Sequence, residues 1–357
     1  MLDTTVTQPP VTPTLTAADG KPLYPEQSEV DRQIHEWQSN SPFYVAPPDD
    51  GRGKHIVDAL IEERAPKLSS SRFWPLFRVV VYKVLGYRKG IDLVNVAGRM
   101  SATDAFAHAS EKMGVRLEST GIEHLPKEGA CILVINHPTG IADGLAAHDL
   151  VLKIRPDPIV FVNGDAIRLN PMLTEKLIPV EWHDDKKTRA KSRETLKASN
   201  KAFAEGRAVI LFPSGRLAYM DKNKELRERP WMPSVAVLAK KYRVPVVPIH
   251  LRTRNSWLFY LLWKLNEELR DMTVFHEWFN KQGKSYSFTV QAPIRHEELL
   301  EDNEEAATEL RVYVEDGVEK GLSFQAWRES RSRKKSNKGY AVSVAGVMSN
   351  QKGDGGI

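Results

Sequence analysis

The sequence predicts an α/β protein: a mainly parallel, twisted sheet flanked by helices, preceded by further helices and bounded by disordered tails. Two observations carry this prediction. Short apolar runs recur at residues 131–135, 159–162, 208–212 and 244–251, each too short for a helix. Segments with helical spacing, 188–204 and 235–242, lie between them. Fully apolar strands that alternate with helices are the pattern of βαβ units.

Residues 1–50 hold eight of the 22 prolines, two Lys/Arg and eight Asp/Glu. With little hydrophobic periodicity, they are expected to form a disordered acidic arm. Residues 51–116 read as helical. Within them 55–64 has helical spacing, and 71–86 mixes aromatic residues with Arg72, Arg78 and Lys83. At about 100° per residue Arg72 and Lys83 share a face while Arg78 points away, so a core helix is expected there, with contact to lipid headgroups as the alternative. The sheet domain is expected over 117–325. Residues 326–357 hold seven Lys/Arg against two Asp/Glu and are rich in Ser and Gly, so a disordered basic tail is expected.

Composition narrows the function. Apolar residues are 41% of the chain and charged residues 27%, which excludes collagen-like and fully disordered proteins. One cysteine, Cys131, permits no internal disulfide and no Cys-rich zinc site. No run reaches the roughly 18–20 apolar residues that span a bilayer, and residues 1–8 lack the basic and apolar regions of a secretory signal. The net charge is +5, and it sits on the body and tail, so anionic partners are expected: nucleic acid, phospholipid or phosphorylated substrates.

In parallel sheets ligands bind beyond the carboxyl ends of the strands. The first apolar run is followed by Asn136, His137, Pro138, Thr139, Gly140 and, at 143, Asp143. Pro138 keeps His137 extended off the strand end. A loop that let His137 and Asp143 meet would make a base with an orienting carboxylate; a local hydrogen bond or helix cap is the plain alternative. The chain has no Gly-x-Ser-x-Gly elbow, and Cys131 lies inside a strand. The proton must therefore come from a bound hydroxyl or water. The second and third strand ends supply Gly164 with Arg168, and Pro213, Ser214, Gly215 and Arg216. A guanidinium fork suits phosphate, and glycine permits close backbone approach; two solvated arginines would look the same in sequence.

Together these segments resemble the glycerophospholipid acyltransferase family, which includes lysophosphatidate and other lysophospholipid acyltransferases. Four blocks match in order over roughly residues 117–293. Residues 121–126 and 130–143 are similar to the family's lead-in strand and its Asn-His-x4-Asp motif. Residues 164–168 resemble the second block, which ends in an arginine that binds acceptor phosphate. Residues 212–216 resemble the third, Phe-Pro-Glu-Gly-x-Arg, and 244–248 the fourth. Residues 101–113 are also similar to a bacterial hemolysin-like subgroup. Two departures stand out: five residues separate His137 from Asp143, and Ser214 replaces Glu with Arg216 directly after Gly215. Gly140 lies in the longer gap and can absorb the extra residue as a bulge.

The resemblance implies an O-acyltransferase in which His137 deprotonates an acceptor hydroxyl for attack on acyl-CoA or acyl-carrier protein. Asp143 would orient His137. Asn136, Gly140, Gly164, Arg168, Pro213, Ser214, Gly215 and Arg216 would bind substrate, with oxyanion donors from backbone N–H groups near Gly140 or Gly215. No metal or bound cofactor is implied. Lysophosphatidate, other lysophospholipids and lyso-ornithine lipid stay open as acceptors. A lipid esterase activating water and a non-catalytic lipid-binding protein are the competing readings.

A peripheral protein on the cytoplasmic face of the inner membrane is expected, with no nucleic-acid partner. The apolar stretch 257–263 would wedge into the interface or continue as a core helix through Leu265 and Leu269. The basic run 186–193 is either a solvated face or a contact to a membrane or acidic carrier protein, and 331–335 is by default a floppy tail. His276 and Trp278 read as packing residues.

Overall fold

Seven strands form one sheet in the order β1 (Arg116–Thr120), β9 (Ser285–Val290), β8 (Val246–Arg252), β2 (Cys131–Ile135), β5 (Ala208–Leu211), β3 (Pro158–Asn163) and β4 (Leu177–Val180). The coordinates are a computed structural model, which describes residues 27–44, 55–181 and 186–333. From β8 to β4 all neighbours are parallel. β9 runs antiparallel to β8 and carries β1 parallel to itself, so the sheet is mainly, not wholly, parallel. A small hairpin, β6 (Tyr219–Met220) with β7 (Leu226–Arg227), follows β5.

The apolar runs form strands because both sheet faces are covered. Every residue of β2 is buried, and successive side chains point to opposite faces. Cys131, Leu133 and Ile135 enter one core, and Ile132 and Val134 the other. The first core packs against α6 (Ala102–Met113), α7 (Ile141–Leu152) and α13 (Val274–Phe279). The second packs against α9 (Arg189–Ala204), α10 (Ser234–Tyr242) and α14 (Asn303–Val312). Four more elements, α2 (Ile56–Arg64), α3 (Pro66–Ser69), α4 (Trp74–Val84) and α5 (Tyr87–Ala97), build a third cluster around Val57, Trp74 and Val94. The short α8 (Asp165–Leu169) follows β3, and α11 (Trp257–Leu265) and α12 (Glu267–Asp271) follow β8.

The structure differs from expectation at both ends. Gln27–Asn40 forms a helix, α1, inside the arm expected to be disordered. Trp37 packs on the first core and Phe43 is buried in it. Too few apolar residues stand there to show periodicity; two aromatic anchors hold the segment instead. Residues 324–333 are helical within the expected tail, and Trp327 is buried against Tyr313. Residues 1–26 and 45–50 of the arm, and 334–357 of the tail, lie outside the described residues. α4 is not a plain core helix: Trp74 and Val81 are buried, but Phe73, Leu76, Phe77, Val79 and Val80 are exposed. α11 is also split, with Phe259 and Tyr260 buried and Trp257, Leu261 and Leu265 exposed. It stops at Asn266, which caps α12.

Candidate active site

The site forms where β2 and β5 end. Asn136 pins the end of β2, its amide donating to Leu251 O at 2.9 Å and accepting from Leu251 N at 2.6 Å. The chain then turns at Gly140, whose φ of 98° is a conformation glycine alone adopts without strain. A Cβ there would also press on Leu217 at 3.2 Å. The turn returns Asp143, in the first turn of α7, to His137: Nδ1 and Oδ2 are 3.0 Å apart. The longer gap therefore leaves the pair in contact.

Asp143 is fully buried, and its carboxylate is saturated. Oδ2 also accepts from the N–H groups of Thr139 at 2.8 Å and Gly140 at 2.9 Å, while Oδ1 accepts from the Thr139 hydroxyl. Thr139 Oγ1 lies 2.8 Å from the hydroxyl of Tyr286 on β9. Burial first, and then the charge of Asp143, raise the Tyr286 hydroxyl well above its usual range, which keeps it a proton donor to Thr139. An ionised carboxylate only accepts, so the shared proton sits on His137 Nδ1 and Nε2 keeps a lone pair. The imidazole lies against Phe212 with ring centroids 4.4 Å apart and the planes tilted by 31°.

His137, Gly140 and Gly215 share the wall of a cavity of about 360 Å³. It extends between α5, α6, α7 and α8 along Leu93, Val94, Phe106, Leu145, Val160 and Leu169. Such an apolar, preformed cleft with few polar groups is the usual form of a small-molecule site. Trp278, expected as packing, belongs both to the core and to this wall.

The other expected site residues are placed differently. Gly164 does not admit a ligand; a Cβ there would stand 2.3 Å from the ring of Phe43. Arg168 is engaged by Glu63 through two bonds, at 2.8 and 3.0 Å, and by Asp165. Its side chain is buried, so the anion it holds is the protein's own. Asn136 faces Leu251, as above. Pro213 O accepts from Met232 N at 3.0 Å, and the Ser214 hydroxyl donates to Arg216 O at 2.8 Å. Arg216 is exposed and makes no ion pair among the described residues. The N–H of Gly140 is taken by Asp143 and that of Gly215 by Phe212 O at 3.0 Å, so neither is a ready oxyanion donor. Lys191 of the basic run pairs with Glu181 at 2.7 Å and lies over the Phe43 ring; it holds the arm rather than a free surface.

Sequence reasoning passed over Thr139, Tyr286, Arg64 and Glu228. Arg64 and Asp165 stand in the cavity wall, paired at 3.1 Å. Thr139 lies inside the motif and was within reach of inspection; the others come from distant segments. Burial pushes the Cys131 thiol up to about 11, which removes it as a nucleophile. Among the described residues no group of three His, Cys, Asp or Glu side chains could hold a metal ion.

Comparison with known proteins places the chain in a family. A family model described as "Acyltransferase" matches residues 60–325 and so takes in α3 to α6 as well as the sheet. A lyso-glycine lipid O-acyltransferase of Bacteroides thetaiotaomicron is 25% identical over 271 residues, 74% of this chain and 96% of that one. One from Phocaeicola vulgatus is 26% identical over 241 residues, 64% of this chain and 84% of that one. Among solved structures, the 1-acyl-sn-glycerophosphate acyltransferase PlsC of Thermotoga maritima aligns with a TM-score of 0.39 and 16% identity, covering 74% of this chain and 91% of that one. Since the family match spans well over half of the sequence, this chain belongs to the acyltransferase family that this model describes and is an acyltransferase.

Proposed function

We propose that this chain moves a fatty acyl group from an acyl thioester, acyl-CoA or acyl-carrier protein, to the hydroxyl of a lyso-lipid, with His137 as general base. The observation that carries the reading is the half-buried His137 in the wall of an apolar cavity, held from behind by the buried Asp143. His137 Nε2 takes the hydroxyl proton as the acceptor oxygen attacks the thioester carbonyl. Asp143 holds the ring and stabilises the imidazolium. The tetrahedral adduct expels the thiolate, which recovers the proton from His137, leaving an ester and a free thiol. The first N–H groups of a helix have no intrahelical partners. We assign the oxyanion to the first turn of α7, where Ile141 lines the cavity.

Arg216 is the cation we assign to the acceptor headgroup, with Arg168 a brace between α8 and α2. A single guanidinium suits a singly charged, planar carboxylate, which it grips through two hydrogen bonds. The names of the two curated relatives point the same way. A lyso-glycine lipid is therefore the first acceptor to try, ahead of lysophosphatidate, other lysophospholipids and lyso-ornithine lipid.

The protein would work as a peripheral enzyme on an anionic membrane surface, at the cytoplasmic face where both donors occur. No helix among the described residues is long and apolar enough to cross a membrane. α4 exposes Leu76 at 77% and α11 exposes Trp257 at 74%; exposed apolar side chains beside Arg72 and Lys83 suit an interface with acidic headgroups.

The test incubates purified protein and its His137→Ala variant with labelled palmitoyl-CoA and the lyso-lipid panel, read by mass spectrometry. Ester formation that falls more than about 100-fold in the variant is expected. Unchanged transfer in the variant would refute the assignment. Equal thioester loss without any acceptor would identify a hydrolase instead.

A further inference from the structure

Position 214 lacks the carboxylate that the third block of the family carries, yet a buried carboxylate stands beside it. Glu228 follows the β6–β7 hairpin and is 4% exposed. Its Oε1 accepts the backbone N–H of His137 at 2.7 Å, and its Oε2 accepts Trp231 Nε1–H at 3.0 Å. The Ser214 hydroxyl is within hydrogen-bonding reach of it. The carbonyl of His137 accepts from Ala218 N at 2.9 Å, so the two feet of the hairpin grip both backbone polar groups of the proposed base. Glu228 is itself anchored: its N–H donates to Glu315 at 2.8 Å, and Glu315 pairs with Arg311.

A buried charge costs stability unless it is well satisfied, and a neutral acceptor would suffice for one N–H group. What the carboxylate adds is negative charge near the imidazole, on a different part of the residue from Asp143. We propose that Glu228 is a positioning residue for His137, supplying from position 228 the carboxylate absent at 214, fixing the backbone of His137 and stabilising its protonated ring. Burial raises the Glu228 carboxyl above its ordinary range despite the opposing bonds from His137 and Trp231, so the charge it lends to the ring is present only where it is ionised. This inference rests on His137 being the base.

The experiment uses the full chain and two readouts. The first is ¹⁵N NMR titration of the His137 ring in the wild type and in Glu228→Gln, which keeps size and removes charge. The second is turnover of palmitoyl-CoA with a lyso-glycine lipid and with lysophosphatidate.

Loss of a nearby negative charge disfavours the imidazolium. The ring titration and the acid limb of kcat/KM should both move to lower pH, by about half a unit or more, and kcat should fall about tenfold at little change in acceptor KM. Restoring charge beside the site with Ser214→Glu in the Glu228→Gln background should recover part of both shifts. Should Glu228→Gln fail to fold, Glu228→Asp carries the test: it draws the charge back from His137 by one methylene, so kcat should fall and the ring titration should move part of the way to lower pH, and a lower kcat with an unmoved titration overturns the proposal there too.

An unchanged ring titration in Glu228→Gln overturns the proposal, as does a lower kcat with an unmoved acid limb, which would mark a purely structural role. Full activity of His137→Ala removes the base assignment itself, a result the titration does not depend on.

Discussion

Replacing Asp143 by asparagine separates charge from shape at the catalytic pair. The amide oxygen can take the place of Oδ2 and still accept from His137 Nδ1 and the Thr139 and Gly140 N–H groups, although three donors now share two lone pairs. The amide NH₂ then meets Thr139 Oγ1, whose hydrogen can turn to Tyr286. The fold should persist with a loss of about 1–2 kcal/mol.

What disappears is the attraction between imidazolium and carboxylate. At 3.0 Å and an effective dielectric of about 20 this is about 5 kcal/mol. The retained hydrogen bond offsets about 1 kcal/mol of it, and the remaining loss of about 4 kcal/mol corresponds to roughly a thousandfold lower kcat. Thiol release from palmitoyl-CoA in the presence of acceptor measures it, with a thermal melt to confirm folding. A folded variant with kcat within about fivefold of the wild type would show that Asp143 holds the loop and does not serve the chemistry.

Three further outcomes follow from the same coordinates. Gly144→Ile adds side chain to the cavity wall where a Cβ would already touch Val160 at 3.7 Å and Phe212 at 3.9 Å, so donor preference should move to shorter chains in an acyl-CoA series, with no shift expected if the chain lies elsewhere. Gly164→Ala places a methyl group on the Phe43 ring and should release the segment around α1, read as faster proteolysis there and a melting temperature lower by several degrees, since such overpacking costs about 1–3 kcal/mol. Leu76→Asp on the exposed face of α4 should weaken sedimentation with anionic vesicles several-fold at an unchanged melting temperature; equal binding would place the membrane contact on another surface.

The legible part of this fold was the part written in one-dimensional pattern. The runs at β2, β3, β5 and β8 showed because burial on both faces leaves no polar residue to interrupt them. β1 hid because it lies at an edge with alternate residues exposed, and β4 because it has four residues, one of them proline. β9 did carry a signal, strict alternation of polar and apolar residues, of a kind a search for continuous apolar runs passes over. The same divide runs through the site. His137 and Asp143 are near in sequence and were found; Tyr286 reaches Thr139 across 147 residues and Glu228 reaches His137 across 91. Arg168 was visible as an arginine, but Glu63, 105 residues earlier, decides what that arginine does.

A spacing motif stands in for a geometry, and Gly140 shows where the substitution breaks down. A helix from His137 to Asp143 would put six steps of about 100° between the side chains, far from facing one another, so contact has to come from a turn before α7 begins. The turn needs one residue at positive φ and two N–H groups aimed at the carboxylate. Gly140 meets the first need, and Thr139 with Gly140 the second. Once those conditions hold, the count of intervening residues is free to vary, because the extra residue lies in the turn and not between the two reacting groups. Conversely, a chain with the usual spacing but a β-branched residue at the turn would match the motif and hold the pair apart. The transferable signal is therefore the glycine and its two N–H groups, which fix the carboxylate, more than the number of residues between His and Asp.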